Sequence, residues 1–166
     1  MVVDELLSLR GITEGTLVWT RPNFFAFRYE LVCSAGPLAR LSVNGIGAAR
    51  YALMETSEES WRLAVFPLER REVPVSRAGG DADPVAIFNR VHPASVQFQG
   101  GPLFQFQPQS PVETILSGGD GQTIFTVELV EAFPRWRADL KLEPQALSLP
   151  EVPVLLAAAC CNLVFE

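Results

Sequence analysis

Residues 150–166 read PEVPVLLAAACCNLVFE and are apolar on every side of any helix they form. A helix that is hydrophobic all round must be buried. Residues 152–165 would make a helix of about 21 Å at about 1.5 Å per residue. This segment has fewer residues than the roughly 20 apolar ones that a membrane-spanning helix needs. Pro153 is tolerated only in the first turn of a helix, which places the helix start near Val152. This C-terminal segment therefore predicts a buried helix along the axis of a small β-barrel.

The chain before this helix alternates between apolar and polar residues with a period of two, from residue 16 to residue 142. Turns rich in Gly and Asn separate the runs. The individual runs that we predict as strands are 24–33, 38–44, 48–55, 60–66, 71–76, 85–91, 95–99, 103–107, 112–116, 123–130 and 135–142. Short strands at this spacing indicate a barrel or a sandwich. With the helix they predict a mainly β fold, a closed antiparallel barrel around its own C-terminal segment.

A chain of 166 residues predicts one domain, 1–166, with a short N-terminal segment at 1–12 and the central helix at 150–166. Residues 2–10 favour a short amphipathic helix. The composition is 48% hydrophobic and 19% charged, which is typical of a folded core. The net charge of −6 argues against nonspecific nucleic-acid binding.

The predicted core combines inward strand positions with the helix. It consists of Phe25, Phe27, Leu31, Leu41, Leu53, Trp61, Leu63, Trp136, Leu140, Leu155 and Leu156.

Three cysteines, Cys33, Cys160 and Cys161, do not make a disulfide framework. We interpret them as small buried apolar residues in a reducing compartment. The N-terminal MVVDELLSLR carries acidic residues where a signal peptide needs basic ones. These features predict a cytoplasmic protein.

Three stretches carry a family resemblance: YEL at 29–31 with GPLARL at 36–41, ARYAL at 49–53 with WRL at 61–63, and LLAAA at 155–159. In order and pattern the chain resembles the tubby-like superfamily, which includes phospholipid scramblases and LURP-one-related proteins. The resemblance implies a twelve-stranded barrel closed around a C-terminal hydrophobic helix.

The functional motifs of that superfamily are not matched. Tubby proteins bind phosphoinositides through a basic pocket, but Lys141 is the only lysine here and no Lys/Arg pair aligns with that pocket. Residues 81–84 also lack the ligands and the turn glycine of a calcium loop.

The strongest binding candidate in the sequence is a set of basic residues expected on the outer wall: Arg70, Arg71, Arg77, Arg135, Arg137 and Lys141. On one wall they would bind an anionic headgroup or a ligand phosphate. Asp139, Glu69 and Glu72 lie among them and would weaken the field. A solvated strand face is the alternative interpretation.

Other candidate chemistry is sparse. His92 is the only histidine, with no acid or nucleophile placed beside it by the sequence. Carboxylates at Glu55, Glu58 and Glu59, or at Glu69 and Glu72, are the type that glycoside chemistry uses, although solvated charge in a turn is the ordinary explanation for the first group. We interpret the glutamine-rich run at 97–109 as a hairpin with polar residues outside and aromatic residues inside; an edge hairpin used for weak self-association is the alternative.

We therefore predict a non-enzymatic binding or scaffold domain without a metal or cofactor. Its partner would be an anionic lipid, a small ligand or a protein, bound on the outer wall or the rim of the barrel. The alternative is a small hydrolase or isomerase, which requires an open barrel with the C-terminal segment outside it.

Overall fold

The computed structural model describes residues 6–9, 12, 15–22, 27–45, 47, 50–67, 69–79, 83–132 and 135–165. In this part of the chain twelve strands form one closed antiparallel barrel. The strands are β1 Thr16–Thr20, β2 Arg28–Cys33, β3 Gly36–Asn44, β4 Tyr51–Thr56, β5 Ser60–Leu63, β6 Glu72–Arg77, β7 Ala86–Asn89, β8 Ser95–Phe98, β9 Leu103–Pro108, β10 Glu113–Gly118, β11 Thr123–Glu131 and β12 Arg137–Leu142. A 3-10 helix, Pro144–Ser148, and the α-helix α1, Val152–Val164, follow.

Each strand pairs with the strands before and after it, and β12 closes the ring on β1, where Leu17 lies opposite Leu140. Because neighbouring strands run in opposite directions, their connections alternate between the two ends of the barrel. We call the end that carries the connections after β1, β3, β5, β7, β9 and β11 the upper end. The lower end carries the connections after the even-numbered strands. The helix α1 begins at the lower end and finishes at the upper end, because Val152 lines a cavity with Leu142 and Phe165 lines one with Arg21.

The interior of the barrel is filled by α1 and by inward-facing strand residues. Every residue from Val154 to Cys161 is buried, so this helix has no solvent-facing stripe. Leu17, Leu63 and Phe88 are 0% exposed and contribute the facing side chains from three strands. The buried central helix and its start at Val152 are confirmed. Among the described residues, no helix has the length and apolarity needed to cross a bilayer.

Several details of the sequence prediction are wrong. Strand β1 is not among the individual predicted runs, because TLVWT is short and its outward Val18 is as apolar as the inward residues beside it. Leu53 faces outward and is only partly buried, whereas Ala52 and Met54 are 0% exposed. Residues 51–54 are all apolar or aromatic, so the sequence does not specify which of them point inward.

Phe27 also lies outside the core, with 59% of its surface exposed. Strand β2 begins at Arg28, so the inward alternation that buries Tyr29 and Leu31 does not extend back to Phe27. Phe25 and most of the predicted N-terminal helix at 2–10 lie outside the described residues.

The other predicted core residues are buried, and Trp136 packs partly buried against the core with its ring 4.9 Å from that of Tyr29. The glutamine-rich hairpin is not an edge: β8 pairs with β7 and β9, and β9 pairs with β8 and β10. Its backbone hydrogen bonds are therefore not offered to a second copy.

Candidate functional site

The structure does not bring the six predicted basic residues together. Arg70, Arg71 and Arg77 lie on or just before β6, and Arg135, Arg137 and Lys141 lie on or just before β12. These strands are six positions apart around the ring in both directions, through β11 to β7 and through β1 to β5. The two groups therefore occupy opposite walls and do not form one patch.

Several of these side chains already have acidic neighbours. A guanidinium nitrogen of Arg77 lies 3.3 Å from a carboxylate oxygen of Glu59, and Arg137 Nε lies 2.9 Å from Asp139 Oδ1. On the adjacent strand Glu128 lies opposite Asp139. The outer wall at β11 and β12 is thus electrostatically mixed, which does not favour an anion there.

The charges are separated along the barrel axis instead. The described connections at the upper end carry six arginines and one acidic residue, namely Arg21, Arg50, Arg70, Arg71, Arg90, Arg135 and Glu69. The described connections at the lower end contain acidic residues and no lysine or arginine; the acids are Glu58, Glu59, Asp83, Asp120, Glu143 and Glu151. The strand residues that border the upper-end connections include two further arginines, Arg28 and Arg137, and three glutamates, Glu72, Glu113 and Glu131. With these residues included, arginines still outnumber acidic residues at the upper end.

The central helix is aligned with this charge separation. Its N-terminus, which carries partial positive charge, lies at the acidic lower end, and its C-terminus lies at the arginine-rich upper end. Arg90, which follows β7, donates a hydrogen bond from a guanidinium nitrogen to the carbonyl oxygen of Phe165 at the end of α1. Arg90 therefore has a structural role in holding the helix terminus.

A cavity of about 400 Å³ opens at the upper end beside the helix terminus. We call it the arginine–aromatic cavity, and it is lined by Arg21, Phe27, Tyr29, Val43, Arg50, Phe66, Val164 and Phe165. The guanidinium carbon of Arg50 lies 4.4 Å from the centre of the Phe66 ring. The guanidinium carbon of Arg21 lies 5.2 Å from the centre of the Phe27 ring and 5.7 Å from the centre of the Tyr29 ring. These are cation–π distances.

The floor of this cavity is apolar and buried. Phe66 and Phe165 pack edge to face with ring centres 5.5 Å apart. Tyr29 is 4% exposed. Burial raises the pKa of its hydroxyl, and the positive charge of Arg21 opposes part of that rise. The cavity thus places cationic groups at the mouth of an aromatic surface.

A second cavity of about 250 Å³ is lined by Arg90, and His92, Phe106, Thr114 and Asn162 are among its other lining residues. His92 itself is exposed. Its surroundings include no carboxylate among the described lining residues. We therefore find no acid–base pair in this cavity.

The two groups of candidate glutamates lie at opposite ends of the barrel and do not combine into one site. Glu58 and Glu59 lie in the turn after β4 at the lower end, and Glu69 and Glu72 lie at the upper end. Within the described ranges, no three His, Cys, Asp or Glu side chains are placed to hold a metal ion.

The two helix cysteines are buried, as predicted. Burial raises the pKa of the Cys161 thiol to about 12 and also holds that of Cys160 well above its ordinary value. Such thiols are inert at neutral pH.

The fold and this end of it define a helix-filled β-barrel with one cationic rim. Comparison of the chain with protein-family models, curated proteins and solved structures finds no match. The tubby-like resemblance therefore stays a prediction from the sequence. Sequence reasoning missed Arg21 and Arg50, because they lie in separate connections and only the folded sheet with its enclosed helix places them at one cavity. The available signal was the alternation of basic and acidic turns along the chain.

Proposed function

We propose that this protein is a non-enzymatic binding domain that recognises an anionic group at the upper end of its barrel. The observation that carries the proposal is the separation of charge between the two sets of connections. A chain with a net charge of −6 repels anions on average, yet it presents arginines at one end. An anionic partner is therefore attracted in one orientation, with the upper end leading.

Arginine suits this role because its planar guanidinium donates paired hydrogen bonds to carboxylate and phosphate oxygens. A lipid headgroup, a free organic phosphate and an acidic segment of a protein all offer that chemistry. Of the two binding surfaces that the sequence leaves open, the outer wall and the rim, the proposal uses the rim. It does not depend on the tubby-like resemblance.

The test compares two charge-matched variants. One replaces Arg70 and Arg71 with glutamine at the upper end, and the other replaces Arg77 and Lys141, which lie towards the lower end. Both remove two positive charges. Flotation with vesicles containing phosphatidylserine, at low and high salt, measures binding to a membrane surface. Calorimetric titration with soluble glycerophosphate measures binding of an organic phosphate without a membrane.

We expect salt-sensitive binding that the upper-end variant weakens and the lower-end variant retains, because screening lengths near 10 Å at about 0.1 M salt keep each effect local. Binding to vesicles alone would assign the anion to a lipid surface, and binding to both would assign a free headgroup-like ligand. Equal loss in the two variants, or no binding of either anion at low salt, would contradict the proposal.

A catalytic function has less support. The hydrolase or isomerase alternative requires the C-terminal segment outside an open barrel, but α1 lies inside and is buried from Val154 to Cys161.

A further inference from the structure

We propose that the arginine–aromatic cavity binds an amphipathic organic anion, with an apolar body on the aromatic floor and a carboxylate, sulfonate or phosphate against Arg50. This rests on the proposed function, because the anionic group uses the same positive end. It goes further by naming one site and one class of small ligand.

The shape and lining of the cavity fit a small molecule. Sites for small ligands are usually concave, mostly apolar and roughly 300–1,000 Å³ in volume, with a few polar groups that fix orientation. The cavity of about 400 Å³ has this composition, since six of its eight lining residues are aromatic or aliphatic. Two of them, Val164 and Phe165, lie at the end of α1, so the buried helix fixes part of the floor.

Arg50 is oriented but retains donors for a ligand. Its Nε donates to the carbonyl oxygen of Gly47 at 3.1 Å, and its guanidinium lies over Phe66. No carboxylate of the described chain lies within ion-pair distance of Arg50, in contrast to Arg77 and Arg137. A guanidinium held by one hydrogen bond and one ring loses little freedom when an anion binds its remaining nitrogens.

Phe27 supplies a second reason to expect an apolar body on the ligand. It is a large aromatic side chain at the mouth of the cavity, with 59% of its surface in water. A ligand that covered this ring would remove apolar surface from water, which favours binding at about 25 cal/mol per Å². An inorganic anion would leave Phe27 exposed and gain none of this term.

The test uses anilinonaphthalene sulfonate, which joins an aromatic body to an anion and becomes fluorescent in apolar sites. The folded protein is titrated at low salt, and circular dichroism of each variant verifies that it is folded. Three variants are compared: Arg50→Gln, Phe27→Ala and the control Arg62→Gln. Arg62 is a matched control because its guanidinium carbon also lies over an aromatic ring, 3.9 Å from the centre of the Tyr51 ring. Arg62 does not line the cavity.

We expect saturable binding of the dye that weakens about tenfold in Arg50→Gln and several-fold in Phe27→Ala, and changes less than about twofold in Arg62→Gln. Inorganic sulfate, an anion without an aromatic body, and naphthalenemethanol, a neutral naphthalene without an anion, should each bind much more weakly than the dye, as measured by its displacement. Unchanged dye affinity in both Arg50→Gln and Phe27→Ala, or an equal loss in Arg62→Gln, would overturn the assignment of the site.

The two proposals fail in different ways. Arg70 and Arg71 do not line the cavity, so their variant tests anion recognition by the upper end alone. If vesicle or glycerophosphate binding depends on Arg70 and Arg71 but dye binding does not depend on Arg50 or Phe27, the cavity proposal is refuted and the proposed function stands. If none of these variants weakens either anion binding or dye binding, both proposals are refuted.

Discussion

Replacement of Leu156 by alanine measures how tightly the barrel packs around its central helix. Leu156 lies in the middle of α1 and is 0% exposed. The substitution removes three carbon atoms, worth about 2.4 kcal/mol of transfer free energy at about 0.8 kcal/mol for each. Strands surround the site on all sides and cannot collapse into the space, so a cavity contribution adds to this. We expect a total loss of about 3 to 4 kcal/mol in the free energy of unfolding.

Urea unfolding followed by tryptophan fluorescence measures this loss. With a urea dependence of about 2 to 3 kcal/mol per molar, the midpoint should fall by roughly 1 to 2 M. Leu163→Ala in the same helix is the control, because Leu163 is only partly buried and should cost less than about 1.5 kcal/mol. Leu156→Asp should prevent folding, since an unpaired charge in this interior has no partner. A loss of less than about 1 kcal/mol in Leu156→Ala would refute the central-helix packing.

Three further outcomes follow from buried and terminal groups. Raising the pH from about 9 to about 11 should destabilise the protein by about 1.4 kcal/mol per pH unit for each of Cys160 and Cys161. The raised pKa values of these thiols keep them protonated in the folded protein, whereas the unfolded chain releases their protons. Urea titrations at several pH values should show a shallower slope when both are alanine, and equal slopes would contradict the argument. Arg90→Gln should lower the unfolding free energy by about 1 kcal/mol by removing the cation at the helix C-terminus, and no change on thermal melting would argue against that contact. Met54→Ala should cost about 2 to 3 kcal/mol and Leu53→Ala less than about 1, so the reverse order in chemical unfolding would show that the facing of β4 is wrong.

The separation of charge along the axis has a structural consequence as well as a functional one. Acidic residues at the start of α1 and Arg90 at its end both oppose the partial charges of the helix termini. The acids at the start include Glu151, at the helix N-cap, and Glu58 and Glu59, which line one cavity with Val152. The arrangement therefore stabilises the helix orientation while leaving Arg50 available at the upper end.

Much of the fold follows from local patterns in the sequence. Residues 152–164 are apolar on all sides, and a segment of that kind has no stable place except an interior. The inward positions of β5 and β12 are likewise readable, because charged residues such as Arg62 and Lys141 alternate with apolar ones and mark the outer face. Where that marking is missing, as at Leu53, the sequence does not specify the facing.

The candidate site depends on contacts that no local pattern records. Arg21, Arg50 and Phe165 are far apart in the chain and lie in three different connections or termini. They meet because β1 to β4 are consecutive neighbours in the sheet and because α1 runs from the lower end to the upper end inside the barrel. Local sequence patterns are sufficient to predict the barrel, its buried helix and the signs of the charges in each turn. Which turns share an end follows from the folded sheet, because strand direction alternates around the ring and brings every second connection together.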